Sequence, residues 1–508
     1  MTSDRIREVS RGHSTKKYRY LFLGRPESGL IGTGILVCLY MAENDIIINH
    51  ACNGESSTEA VAPEVHRVQA ATDLPQNLAK ELMTRLATPA NLKAAFKAVK
   101  RNKGAPGIDK RTISEVEASI NEIILELCTT LLDGTYIPSP VRGVEIPKTN
   151  GQTRQLGIPT VVDRIVQQAI TQILSPMFDP CFSEQSFGFR PKRSAQQAIA
   201  SAKSFVKEGR EWVVDIDIVK FFDYVNHDII MSKLARSISD KKLLKLIRKF
   251  LQAGMMHDGL FSKKEQGMPQ GSPLSPLLSN IMLHDLDKEL HYRGHTFVRY
   301  ADDCNIYVAS KAAAQRVLTS ITRFLKNKLK LSVNLDKSAA TSVIKRSFLG
   351  FTLLHDGKIA ISKESIKRFK DKIRLITKRN RGVKIETVIT ELNQTTRGWF
   401  HYFKCSDSGK PFKLLDCCIR RRIRCYRIKQ RKRKYSIKTF LEGLGLDTKL
   451  AWAIACSRGN WWRKSLSYPV HQALSLKWFK QFQLFSIFDS FVQHKSETAV
   501  CDSARTVV

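Results

Sequence analysis

Phe297-Val298-Arg299-Tyr300-Ala301-Asp302-Asp303-Cys304-Asn305-Ile306-Tyr307-Val308 places two apolar, aromatic-rich runs on either side of two adjacent carboxylates. Runs of this composition favour strands, and Ala-Asp-Asp between them predicts a tight hairpin turn. Neighbouring aspartates repel each other, so a pair shielded from water calls for a cation. Hard oxygen ligands at a strand end suit Mg²⁺ that also carries substrate phosphates. Asp is equally a common turn residue, so a plain solvated turn is the competing reading. The chain around the turn has to separate the two.

Upstream, Trp212-Val213-Val214-Asp215-Ile216-Asp217-Ile218 reads as a buried strand interrupted by carboxylates, and residues 221–227 lead it into a helix. An acidic residue inside such a strand is costly unless it is paired or binds metal. Between this strand and the Ala-Asp-Asp turn, Gly267-Met268-Pro269-Gln270-Gly271-Ser272-Pro273-Leu274-Ser275-Pro276 predicts a rigid loop opening a helix over 277–286. Glycine there allows close backbone approach to a ligand, and proline restricts the turn. Nearer the N-terminus, Val144 to Lys148 and Thr153 to Pro159 flank Asn150-Gly151, the pattern of a β-hairpin with basic arms. Lys148 and Arg154 are candidate triphosphate contacts, although a lone pair of basic residues reads first as exposed strand charge. Helical spacing of apolar residues predicts helices over 91–103, from 120 through 127, and over 163–173. Phe187-Gly188-Phe189-Arg190-Pro191 is a basic, aromatic loop suited to nucleic-acid contact.

The bulk numbers narrow the partners. The chain has 508 residues, and 83 Lys plus Arg against 47 Asp plus Glu leave a formal charge of +36. Polyanions are the default partner at that charge. Length suggests roughly three domains. The 11 cysteines lack any C-x-x-C pair, which fits reduced, inert thiols and suggests neither a disulfide framework nor a structural zinc. Residues 1–75 show no sustained period, and the apolar run 30–40 is too short to span a bilayer. We expect a poorly ordered leader or an over-long reading frame there, and no membrane partner.

Past Phe351 the pattern turns helical and basic. Ten of the fifteen residues from Arg420 to Lys434 are Lys or Arg, interleaved with Ile423, Tyr426 and Ile428. A charge run is usually a solvated face, but this interleaving predicts a docked helix with a phosphate-binding side. Arg397-Gly398-Trp399-Phe400-His401-Tyr402-Phe403 adds an aromatic cluster, in which His401 and Tyr402 read as core packing.

Asp217, the Pro-Gln-Gly loop, Tyr300-Ala301-Asp302-Asp303, residues 334–338 and Phe348-Leu349-Gly350-Phe351 follow the order of the reverse transcriptase blocks. With residues 104–109, 154–159 and 187–190, the chain from about 82 to about 487 resembles group II intron-encoded reverse transcriptase/maturases of bacterial type. That resemblance implies an α+β right-hand polymerase: fingers and palm with an antiparallel sheet over 76–360. A helical thumb, the maturase domain X, would span 361–440 and a small helical DNA-binding region 441–490, leaving a polar tail over 491–508. It implies Asp217 and Asp302 as ligands of two Mg²⁺ ions, Asp303 in support and Ile218 offering a carbonyl. Lys148, Arg154, Gln270, Gly271 and Lys337 would meet the incoming nucleotide, with Phe222 as the gate against a ribose 2′-OH. Ser272 stands where many relatives carry a second glycine, and little effect is expected.

The thumb's Arg420, Arg421, Arg422, Arg424, Arg427 and Lys429 would hold RNA. The implied function is copying intron RNA into DNA during retrohoming and assisting its splicing. Intron RNA, a DNA target and primer, and dNTPs would be the partners, in a bacterial cytoplasm at the nucleoid. A homodimer is compatible. The sequence shows no His-Asn-His nuclease pattern at its end, which would leave second-strand priming to another free 3′ end. Two alternatives stand beside this reading: a domesticated or diversity-generating reverse transcriptase without an intron, and a splicing-only RNA-binding factor.

Overall fold

The structure, a computed structural model, describes residues 81–147, 153–257 and 259–505. The leader expected over 1–75 lies outside the described residues. The first long helix, Pro89–Asn102, starts on Thr88, whose hydroxyl accepts from the Asn91 N–H. Its Leu92, Ala95, Phe96 and Val99 stripe is buried, as its spacing predicts. The helices expected around 120–127 and 163–173 are present and longer, as Ile120–Asp133 and Val161–Phe178.

Ten strands are described: β1 (Val141–Pro147), β2 (Thr153–Ile158), β3 (Trp212–Ile216), β4 (Met255–His257), β5 (Leu260–Ser262), β6 (Thr296–Tyr300), β7 (Asp303–Val308), β8 (Ala339–Ser342), β9 (Phe351–Leu353) and β10 (Ile359–Ile361). One sheet has the order β2-β1-β4-β5, with β1 and β4 parallel. A second, β6-β7-β3-β8, is antiparallel throughout and carries the central carboxylates at one end. Strands β9 and β10 form a separate pair.

The antiparallel sheet is buried on both faces. Val214, Ile216, Phe297 and Ile306 enter one hydrophobic core, while Val213, Val298 and Tyr307 enter the other. Side chains alternate across a strand, so a sheet between two cores needs apolar residues at both parities. That explains why these strands read as nearly continuous apolar runs. The first core is closed by the helices before the sheet and by Ser275–Tyr292. The second is closed by Ala195–Lys207 and by three long helices, Lys363–Ile376, Ile385–Phe403 and Lys410–Gln430.

Three expectations change. The helix after the Pro-Gln-Gly loop runs Ser275–Tyr292 rather than 277–286, because Pro276 sits in its first turn, where no N–H is needed. The tail expected over 491–508 begins inside a helix, Ile487–Arg505. Phe491 of that helix is buried and stacks on Phe412 at 4.7 Å, while Asp416 accepts from the Ile487 and Phe488 N–H groups. His401 is exposed rather than core, whereas its neighbour Tyr402 packs on Phe351 and donates to the Leu349 carbonyl.

Candidate active site

Strand register builds the centre. Ile216 pairs with Cys304 and Asp215 with Asn305, so Asp217, one residue past β3, lies opposite the start of β7. Tyr300 pairs with Asp303 across the hairpin, leaving Ala301 and Asp302 as its two-residue turn. Ala301 takes φ of +59°, the left-handed conformation that such a turn demands and that costs a non-glycine residue about 1 kcal/mol or more. Asp217 itself is held by backbone. Its N–H donates to Ser338 Oγ at 2.9 Å, and its carbonyl accepts from the Asn334 N–H at 2.8 Å. Ile218 is buried and bridges to Val333.

The carboxylates act on one another. Burial first, then repulsion from Asp217, raises the Asp302 carboxyl, against the pull of Arg154 and Arg299. Desolvation, then repulsion from Asp302, Asp215 and Asp217, raises Asp303 to about 7. Asp303 also keeps an open face to solvent, beside the three carboxylates that repel it. Asp215, inside β3, is raised to about 6 by burial, with Arg346 opposing and Asp217 reinforcing. Basic groups stand over the cluster: Lys337 Nζ lies 3.7 Å from Asp217, and Arg346 Nε 3.6 Å from Asp215. Both Lys337 and Asp217 are well exposed, so that pair contributes little to stability.

Donor chemistry fits a hard divalent cation. Among the described residues no three His, Cys, Asp or Glu side chains converge as a ready ion cage. Mg²⁺ in phosphoryl-transfer sites does not need one, since it takes one or two carboxylates and keeps places for water and substrate phosphates. Asp217 and Asp302, coupled by repulsion, are the two carboxylates that could take that part.

The side expected to meet the nucleotide is assembled from three segments. Arg154 on β2 donates to the Gln270 side chain, and the Gly157 N–H donates to the Gln270 carbonyl at 2.9 Å. Gly271 adopts φ of +111°, where a Cβ would stand 3.0 Å from the Gly157 carbonyl oxygen. Phe222 joins the same assembly through backbone, its carbonyl accepting from the Met268 N–H at 2.7 Å. Arg154, Gln270, Gly271 and Phe222 are thus brought together; Lys148 lies outside the described residues. Ser272 does more than its spacing suggested. It is buried, and its hydroxyl donates to Gln167 at 2.8 Å, tying the loop to the helix Val161–Phe178.

Two basic segments are less free than their composition implies. Arg190 is locked by Asp179 and by the Ser183 and Ser186 carbonyls, and Phe187 is buried, so Phe189 and Pro191 are the residues of that loop that face outward. In the helix Lys410–Gln430, Arg424 is buried and donates to the Leu474 carbonyl at 3.0 Å. Arg421 stacks on Trp462 at 3.9 Å, Arg422 donates to the Thr377 hydroxyl, and Arg427 lies over Phe440. Those stacks turn cationic side chains into packing material. Arg420 reaches Asp416 at 3.9 Å and donates to the Cys417 sulfur at 3.4 Å, both within its own helix, which leaves it and Lys429 less tied to neighbouring elements than the other four.

The sequence reading passed over Arg299, Asn280 and Asp287, a buried network beneath the turn. Only a charged residue inside an apolar strand hinted at it.

Comparison with known proteins names the class. Residues 146–353 match the reverse transcriptase (RNA-dependent DNA polymerase) family and residues 366–441 the group II intron maturase-specific domain. Protein YkfC of Escherichia coli (strain K12) is 34% identical over 309 residues, 53% of this chain and 81% of that protein. The group II intron-encoded protein LtrA of Lactococcus lactis subsp. cremoris is 42% identical over 168 residues, covering 33% of this chain and 28% of that protein. A putative COX1/OXI3 intron 2 protein of Saccharomyces cerevisiae is 30% identical over 327 residues, covering 52% and 37%. The two domain matches and the relatives agree, and the chain belongs to the group II intron-encoded reverse transcriptase/maturases.

Proposed function

We propose that this protein extends a DNA primer on an RNA template, using the intron RNA that its maturase domain binds as that template during retrohoming. The observation that carries the reading is the meeting of Asp217 and Asp302 at the ends of β3 and the β6–β7 turn, beside Arg154, Gln270 and Phe222. Divalent ions held by Asp217 and Asp302, with Asp303 and the Ile218 carbonyl in support, would stabilise the attacking and leaving oxygens of an in-line displacement. Arg154 and Lys337 place positive charge where a triphosphate would develop negative charge. Phe222 forms an apolar wall fixed to the Pro-Gln-Gly loop, where a sugar 2′-OH would find no partner.

The thumb helices, with Arg420 and Lys429 partly exposed, are assigned to the intron RNA, and residues 441–490 to the DNA target. No helix among the described residues is long and apolar enough to cross a membrane. We place the protein in a bacterial cytoplasm with its nucleic acids. Purified protein given an RNA template, DNA primer, Mg²⁺ and dNTPs is expected to extend the primer, and Asp302→Ala to abolish extension. Extension unchanged in that variant overturns the catalytic assignment. Intron splicing that is no faster with protein present overturns the maturase half.

A further inference from the structure

Arg299 is completely buried one strand residue before Tyr300, and every nitrogen of its guanidinium donates a hydrogen bond. Nε and Nη2 donate to the two Asp287 carboxylate oxygens at 2.7 and 2.6 Å. Nη1 donates to Asn280 Oδ1 at 3.0 Å and, on its other side, to the Ala301 carbonyl at 2.8 Å. Asn280 and Asp287 are seven residues apart on the helix Ser275–Tyr292, two turns along one face. Asn280 also donates to the Gly188 carbonyl at 2.9 Å. Gly188 presses on the turn so closely that a Cβ there would stand 2.2 Å from the Ala301 nitrogen.

A buried ion pair is weak evidence for a stabilising role, because apolar residues of similar volume often serve as well. An apolar pair, however, could not donate to the Ala301 carbonyl. Lysine could pair with Asp287, but it lacks the rigid fork that reaches the carboxylate and the turn together. The left-handed Ala301 needs such over-determination, since a strained residue persists only where its surroundings hold it. The helix that supplies Asn280 and Asp287 also continues directly from the Pro-Gln-Gly loop. One rigid element therefore mounts both the nucleotide loop and the carboxylate turn.

We propose that Arg299 is a positioning residue for the Ala301–Asp303 turn: clamped by Asp287 and Asn280, it holds the Ala301 carbonyl and thereby sets where Asp302 meets Asp217. This rests on the turn being the polymerase centre. The test compares the full-length protein with Arg299→Lys, with the apolar double variant Arg299→Met/Asp287→Leu, and with the milder Asn280→Ala. Each is measured by thermal unfolding, template–primer affinity, steady-state extension and amide hydrogen exchange across residues 300–304 without added metal.

For variants that unfold within a few degrees of the parent, exchange in the turn is expected to rise roughly ten-fold or more. Extension kcat should fall about 30- to 100-fold, as displacement of reacting groups by an ångström would cause, with dNTP KM and template affinity little changed. Unchanged turn exchange in any folded variant, Asn280→Ala included, overturns the proposal, as does a kcat loss matched by lost template affinity. Absence of extension by the parent protein would instead overturn the polymerase reading, while turn exchange would still report on the clamp.

Discussion

The Met268 N–H donates to the Phe222 carbonyl at 2.7 Å, so the wall expected to screen the sugar and the loop expected to line the nucleotide are one hydrogen-bonded unit. The Gly267 N–H donates to the Val225 carbonyl at 2.7 Å, and the buried His227 ring joins the Gly267 carbonyl at 2.6 Å. Gly267 sits at φ of +87°, where a Cβ would lie 2.6 Å from the Asp223 carbonyl oxygen. Gly267→Ala is therefore expected to cost about 1–3 kcal/mol of stability and to separate loop from wall. Thermal unfolding checks the first effect and primer extension the second.

Phe222→Ala opens the wall while leaving the backbone bond to Met268 available. Discrimination between dNTP and NTP is expected to fall by roughly 10²-fold, the scale on which an apolar pocket rejects an added hydroxyl. Ratios of kcat/KM for matched dNTP and NTP substrates measure it, and an unchanged ratio would remove Phe222 from the gate.

Asp217→Asn and Asp302→Asn keep the side-chain shape and remove a charged oxygen from each proposed ligand. Extension is expected to drop roughly 10³-fold or more, equal to several kcal/mol of lost charge stabilisation. Template–primer affinity should hold or rise, because each change removes negative charge beside the bound polyanion. Binding titrations and single-turnover extension separate the two effects.

The thumb arginines divide by environment. Arg420→Ala and Lys429→Ala are each expected to lower the salt slope of RNA binding by about one and to leave unfolding unchanged. Arg424→Ala should do the opposite. Burial, with Arg420 nearby, already pulls the Arg424 guanidinium down to about 10, and its removal leaves the Leu474 carbonyl unpaired. A loss of about 1–3 kcal/mol in stability is expected, with the salt slope intact.

His284 makes stability depend on pH. Burial first, then Lys288 and Arg299 against Asp287 and Asp285, depresses this imidazole to about 4 from an ordinary 6.5, and its ring packs edge-on to Phe182. As pH falls below 6.5, the unfolded chain takes up the proton and the folded chain does not. Stability present above pH 6.5 is thus lost progressively down to pH 4, by roughly 2–3 kcal/mol in total. His284→Phe is expected to flatten that part of the profile, read by denaturant unfolding at a series of pH values.

Much of this was legible beforehand where the signal is local. The hairpin around Ala301–Asp302, the amphipathic Pro89–Asn102 and the arms of β1 and β2 all follow from periods of two or 3.6 and from turn chemistry. What escaped was long-range. Asp215 and Asp217 are two residues apart in one run, yet register puts Asp215 inside β3 opposite Asn305, and Asp217 beyond the strand end. Arg424 and Lys429 look alike in a basic run, and only the packing of Leu474, His471 and Phe479 against Arg424 separates that buried structural cation from the partly exposed Lys429.

By itself, then, the sequence pointed to the class of chemistry through the order of its parts: carboxylates bounded by apolar strands, a Gly-Pro loop opening a helix and a basic aromatic stretch are each weakly specific local patterns, and their succession along the chain carries the resemblance. Tertiary structure alone decided how those parts work together. Burying the β6-β7-β3-β8 sheet between two cores forces its polar ends into the open. There Asp217 and Asp302 meet, and beneath them the only charged side chain inside β6, Arg299, must find its partners on a helix far along the chain. Contacts of that kind depend on which faces pack together, and no local period encodes that.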